Sequence, residues 1–217
     1  MRMSIPMLDK PRMRGVSHRA AFYASLGAGP MLVAAASNAQ AAIAATIYAF
    51  TLAAMFGVSA LYHLPTWGER ARALMRRLDH SAIFLVIAGS YTPICLVALK
   101  DGVGPWLMGA IWLGALLGVA RAVFWSHAPK ALSALFYVLL GCVVIPFLPR
   151  TAEALSPVAN GLLVTGGLLY IVGAVVYATR RPDPAPRIFG YHEVFHALTI
   201  LASICHFIAI RQVIVAS

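Results

Sequence analysis

The chain has 217 residues, 61% of them hydrophobic and only 11% charged, with a mean hydropathy of +0.81. Soluble domains carry about a quarter charged residues, so this composition excludes an ordinary soluble globule and points to an integral membrane protein. The formal net charge of +10 would suit a nucleic-acid partner, but the basic residues lie in short segments between apolar runs. There they match the anionic lipid headgroups of an inner membrane face, and nucleic acid is set aside as a partner.

Apolar runs of roughly 20 residues are long enough to cross a bilayer. They are predicted at about 20–37, 41–63, 80–99, 105–125, 131–148, 157–179 and 191–212. Seven such spans leave only short connections, so the expectation is an all-α, seven-transmembrane helix bundle forming a single integral membrane domain over 1–217. A signal peptide is not expected, because the first basic stretch is long and the Ala-rich residues after it continue into further helices.

In chain order, the segment before and into the first span carries Arg2, Lys10, Arg12, Arg14 and Arg19. His18 belongs to this basic segment and is expected to be solvated or interfacial. The second span ends in Ser59-Ala60-Leu61-Tyr62-His63, followed by Arg70, Arg72, Arg76 and Arg77. The third opens at Asp79-His80. Arg121 and Lys130 flank the fourth-to-fifth connection, where His127 is also expected to be solvated, and Arg180, Arg181 and Arg187 flank the stiff, Pro-rich connection before the seventh. The alternate connections hold only Lys100, Arg150 and Arg211. Fourteen of seventeen basic residues thus share one side, which the positive-inside rule makes cytoplasmic, with the N-terminus in and the C-terminus out. Pro30, Pro93 and Pro146 lie inside spans and are expected to kink them. Cys95, Cys142 and Cys205 have no metal-like or paired spacing and read as small buried hydrophobes.

Ionisable groups in a span are costly and therefore informative. The seventh span opens with His192-Glu193-Val194-Phe195-His196, two histidines one turn apart on one helix face, so both rings can reach one metal ion. With this topology His63, Asp79, His192 and His196 lie at one depth, delivered by three separate segments. Taken singly, each has a plainer reading: Asp79 as a helix cap, His63 as an interfacial ring, Ser59 as a hydroxyl bonded one turn back. His206 stands ten residues, about 15 Å of helix rise, beyond His196. It is expected to bond within the bundle. The pentapeptide also spells His-Glu-x-x-His, a zinc protease signature, but no downstream third ligand follows, and Glu193 turns about 100° from His192, toward the loop or a neighbouring helix.

The combination Ser59-x-x-x-His63, Leu78-Asp79-His80, Gly89-Ser90-Tyr91-Thr92-Pro93 and His192-x-x-x-His196 resembles the bacterial hemolysin III proteins, which belong with the progestin and adipoQ receptors. The likeness runs from about Val16 to Arg211. It implies a seven-helix bundle with a zinc ion (Zn2+) near the cytoplasmic face, held by His63, His192 and His196. The matching Asp, here Asp79, would hold a water beside the ion, with Ser59 next to that water and His80 or Glu193 orienting ligands from behind. Kinship with alkaline ceramidases implies hydrolysis of a lipid amide, with membrane lipid and an N-acyl lipid as partners, in a multi-pass protein of the bacterial inner membrane. Three imidazoles leave a fourth zinc position open, as a catalytic site requires. In this expectation Asp79 takes a proton from water and Ser59 donates to the developing oxyanion. The competing expectations are a zinc-stabilised sensor or receptor without turnover, and a cytolysin or channel. The long soluble N-terminal region of the animal receptors is not seen in this sequence, which counts against a hormone-receptor role, and no charged pore-lining stripe supports a cytolysin.

Overall fold

The computed structural model describes residues 10–99 and 102–217; Arg2 and Lys100 of the charge pattern lie outside them. Among the described residues eight α-helices follow one another: α1 Val16–Ala34, α2 Ala39–His63, α3 Glu69–Pro93, α4 Val103–Phe124, α5 Lys130–Gly141, α6 Leu148–Ala154, α7 Pro157–Thr179 and α8 Tyr191–Val215. A π-helical turn, Ile94–Ala98, extends α3, and a 3-10 segment, Cys142–Phe147, joins α5 to α6 into one span. Seven spans result, matching the expected count. Six are long and apolar enough to cross a membrane, whereas α1, with 19 residues and His18 and Arg19 near its start, is the less apolar seventh. Phe50, Trp106 and Phe124 stand exposed on the outside of the bundle, as a lipid-facing surface requires.

The helices close into a ring. Neighbours in sequence pack along α1–α2–α3–α4, α5 packs on α7, α7 on α8, and α8 returns to α1. Asn38 caps α2 by accepting from the N–H of Ala41 (3.0 Å), and Ser156 caps α7 by accepting from that of Ala159 (3.1 Å). Gly89 lets α2 and α3 approach closely: a Cβ there would stand 2.0 Å from Thr51 Oγ1.

The third and fifth spans differ most from the sequence expectation, each for a physical reason. The third helix starts at Glu69, eleven residues before the apolar run, because Glu69 to Leu78 is rich in Glu, Arg, Ala, Leu and Met, all strong helix formers. An apolar run marks entry into lipid, not the start of a helix. Asp79 is therefore in the third turn and caps nothing, so the plainer reading of that residue falls. The fifth span is broken near Pro146, which the expected kink understated. Tyr91 of α3 repairs the break: its hydroxyl donates to the carbonyl of Gly141 (2.6 Å) and accepts from the N–H of Val144 (3.0 Å). Pro93 has no N–H to give the carbonyl of Gly89, and the helix widens into the π turn directly after it.

Candidate metal centre

The C-terminal turn of α2 and the first two turns of α8 meet at one end of the bundle. His63 arrives from α2 and His192 and His196 from α8, all buried. Their ligand-type nitrogens lie within 4.8 Å of one another, and His63 Nε2 is 3.1 Å from His192 Nε2. Two imidazole nitrogens bound to one tetrahedral ion at about 2.0–2.1 Å would sit about 3.3 Å apart, so this pair already has the spacing of co-ligands. His196 Nδ1 is buried with no hydrogen-bond partner among the described residues. A buried ring nitrogen without a partner is costly in a purely structural role and ordinary in a ligand set. The three histidines could form a metal site.

The first helix contributes what sequence reasoning missed. His18 is buried, at 2% exposure, and not solvated. Its Nδ1 is 2.8 Å from Ser59 Oγ, and its ring stacks on that of His196, with centroids 3.6 Å apart and planes 7° from parallel. Phe56 closes the other side edge-on at 5.1 Å. The basic neighbours of His18 hid this: the helix start at Val16 turns His18 inward while Arg19, one position on, points out. A histidine on the inner face of the first turn was the only available signal.

Asp79 and Ser59 stand beside this cluster. Ser59 is buried and is the polar neighbour of the Asp79 carboxylate, which opens into the chamber described below. His80 lines the same chamber but its ring bonds none of the three histidines among the described residues; its backbone carbonyl also accepts from the Tyr137 hydroxyl. Glu193 faces away from the histidines. One carboxylate oxygen accepts from the N–H of Gly190 (2.8 Å) and the other pairs with the half-buried Arg14, while Asp183 accepts from the N–H of Tyr191 (2.8 Å). Glu193 thus closes the start of α8 and fastens the N-terminal segment to it. That segment crosses beneath the cluster at Gly15, whose φ of +79° and whose 2.8 Å approach of a would-be Cβ to His63 Cβ both require glycine. His127, by contrast, is exposed as expected, and His206 bonds within the bundle to the carbonyl of Leu163 (3.2 Å).

Next to the histidines lies a chamber of about 1290 Å³, lined mainly by α2, α3, α5, α7 and α8, larger than most small-molecule pockets. Its walls are mostly apolar, and Asp79, Ser59 and the three histidines occupy one end.

Comparison with known proteins places these residues in a family. A family model described as "Haemolysin-III related" matches residues 7–207. Hemolysin-3 of Bacillus cereus is 34% identical over 140 residues, 64% of either chain, so the match spans just under two thirds of that relative. The Hemolysin-3 homolog of Bacillus subtilis is 28% identical over 90% of both chains. The human monocyte to macrophage differentiation factor is 26% identical over 77% of this chain and 69% of its own.

Proposed function

The chain belongs to the Haemolysin-III related family, and we propose that this multi-pass membrane protein holds zinc at His63, His192 and His196 and hydrolyses a lipid amide. The observation that carries the reading is the three buried histidines grouped beside a carboxylate that faces a large apolar chamber. Zinc bound there would supply Lewis-acid polarisation of an acyl carbonyl and lower the pKa of water. The chain's own residues do the rest. Asp79 takes the proton of an attacking water at its carboxylate and returns it to the leaving amine. His18, with its proton on Nδ1, donates to Ser59 Oγ, which leaves the serine hydroxyl hydrogen to the Asp79 carboxylate at rest and to the developing oxyanion once Asp79 has taken up the water's proton. The apolar wall holds the acyl chain and excludes water from the amide. The histidine end lies at the cytoplasmic side of a bacterial inner membrane, N-terminus in, within a single integral membrane domain.

One observation favours a second reading, a metal-stabilised sensor without turnover. Helices α2 and α8 have few direct contacts, so an ion shared by His63 and His192 would tie them together whether or not chemistry follows. Purified protein should carry one zinc per chain by elemental analysis, and His192→Ala or His196→Ala should lose it. Asp79→Asn should keep fold and metal but stop the release of fatty acid from a panel of N-acyl lipids. Equal turnover in Asp79→Asn and wild type would sink the hydrolase assignment, and absence of zinc would sink both readings.

A further inference from the structure

The chamber has a polarity that amide hydrolysis alone does not explain. Its mouth carries more cations than carboxylates. Arg14 is satisfied by Glu193, and Asp183 is engaged by the N–H of Tyr191. Lys10, Arg72, Arg76 and Lys130 remain, with Asp79 the other carboxylate of the lining.

The positive-inside rule accounts for basic residues on this side, but not for how two of them are held. Lys130 does not reach out to water. Its Nζ donates to Tyr191 Oη (2.7 Å) and lies 5.2 and 5.1 Å from the ring centres of Tyr177 and Tyr191, and the Tyr177 ring is 5.8 Å from that of His192. Arg76 bonds His127 through one terminal nitrogen (2.9 Å), while its Nε is buried with no hydrogen-bond partner among the described residues. The His127 that Arg76 bonds lies three residues before Lys130, and both cations line the chamber, so the two charges meet at one mouth. Crowding of like charge is felt at Lys10, outside the spans, whose ammonium is pushed below its ordinary range first by partial burial and then by Arg14 and Arg72. Away from the mouth the wall turns apolar at Ile171, Leu163 and Leu168 and continues past His196 to His206, a helix rise of about 15 Å.

We propose that the chamber takes a single-chain amphiphile with an anionic headgroup, a carboxylate or phosphate seated between Arg76 and Lys130, its tail lying along α7 and α8 toward His206. This names the headgroup class of the substrate; it rests on the hydrolase reading only for placing the amide beside the three histidines.

The test compares two amides with one acyl chain, N-lauroylglycine and N-lauroylethanolamine, binding to the full chain in phosphatidylcholine nanodiscs. The anionic ligand should bind about tenfold tighter at low salt, as two charge-assisted contacts allow, and high salt should reduce the advantage. Arg76→Gln with Lys130→Gln should abolish the preference, bringing the anionic amide down to the affinity of the ethanolamide. If that variant binds neither ligand, the charge-keeping pair Arg76→Lys with Lys130→Arg decides, retained preference supporting the inference and equal binding overturning it. Equal affinities in the wild type, or a preference that survives removal of both charges, also overturn it. Mass spectrometry of the same samples reads cleavage separately: selective binding without cleavage defeats the hydrolase reading alone, and cleavage without charge selectivity defeats this inference alone.

Discussion

His18 shows how much one side chain can settle. Its ring lies flat on His196 and its Nδ1 meets Ser59, so it fixes the plane of one candidate ligand and the rotamer of the candidate oxyanion donor at once. Groups that orient ligands from behind typically change metal affinity 10–100-fold when removed. His18→Ala should therefore weaken zinc retention by roughly tenfold or more in competition with a chelator, while His18→Phe, which keeps the stack and loses the hydrogen bond, should hold metal better than Ala and still impair turnover. If Phe and Ala release metal alike, stacking is not what holds His196. Arg14 is the second decisive residue, because Glu193 is 1% exposed and Arg14 is its partner. Arg14→Gln strands a buried carboxylate and should cost about 3 kcal/mol. Adding Glu193→Gln should recover much of that, as thermal unfolding in detergent would report.

At the scale of elements, the second and seventh spans were legible almost to the residue, because a strong apolar signal ends in histidines that also end the membrane segment. The candidate ligands were legible for the same reason: His63 and the His192–His196 pair sit where polar residues carry a cost. Two things were not legible. Hydropathy cannot find a helix that begins in water, so the charged first turns of α3 went unseen and Asp79 was open to misreading as a cap. Nor does it register pairing between distant elements, which is why Tyr91 read as one letter of a Gly-Ser-Tyr-Thr-Pro string instead of the group that satisfies the broken fifth span. Tyr91→Phe leaves the carbonyl of Gly141 and the N–H of Val144 without that partner. It should lower stability by about 1–3 kcal/mol with zinc content unchanged, measured by thermal unfolding and elemental analysis in parallel. Unaltered melting would mean that water or lipid headgroups replace the hydroxyl.

For the whole molecule the first matter is direction in the membrane. With Cys95, Cys142 and Cys205 replaced by Ala, a cysteine at Arg187 should react with an impermeant maleimide only after cells are opened, and one at Ser217 should react in intact spheroplasts, as expected from the positive-inside pattern. The reverse labelling would invert the bundle and put the histidine cluster outside. The ring closure of the helices also has a consequence for biosynthesis. Arg14 and Glu193 are separated by 179 residues, and His63 and His192 by 129. A chain inserted from its N-terminus threads Ser59, His63 and Asp79 into the bilayer early, and these wait through three further spans, α4, α5–α6 and α7, for α8 to emerge. Every nascent chain halted before Tyr191 therefore lacks two of the three histidines and the acid that fastens its own beginning. Under the proposed function, metal loading would belong to the finished polypeptide, because an unfinished one presents His63 without the His192–His196 pair.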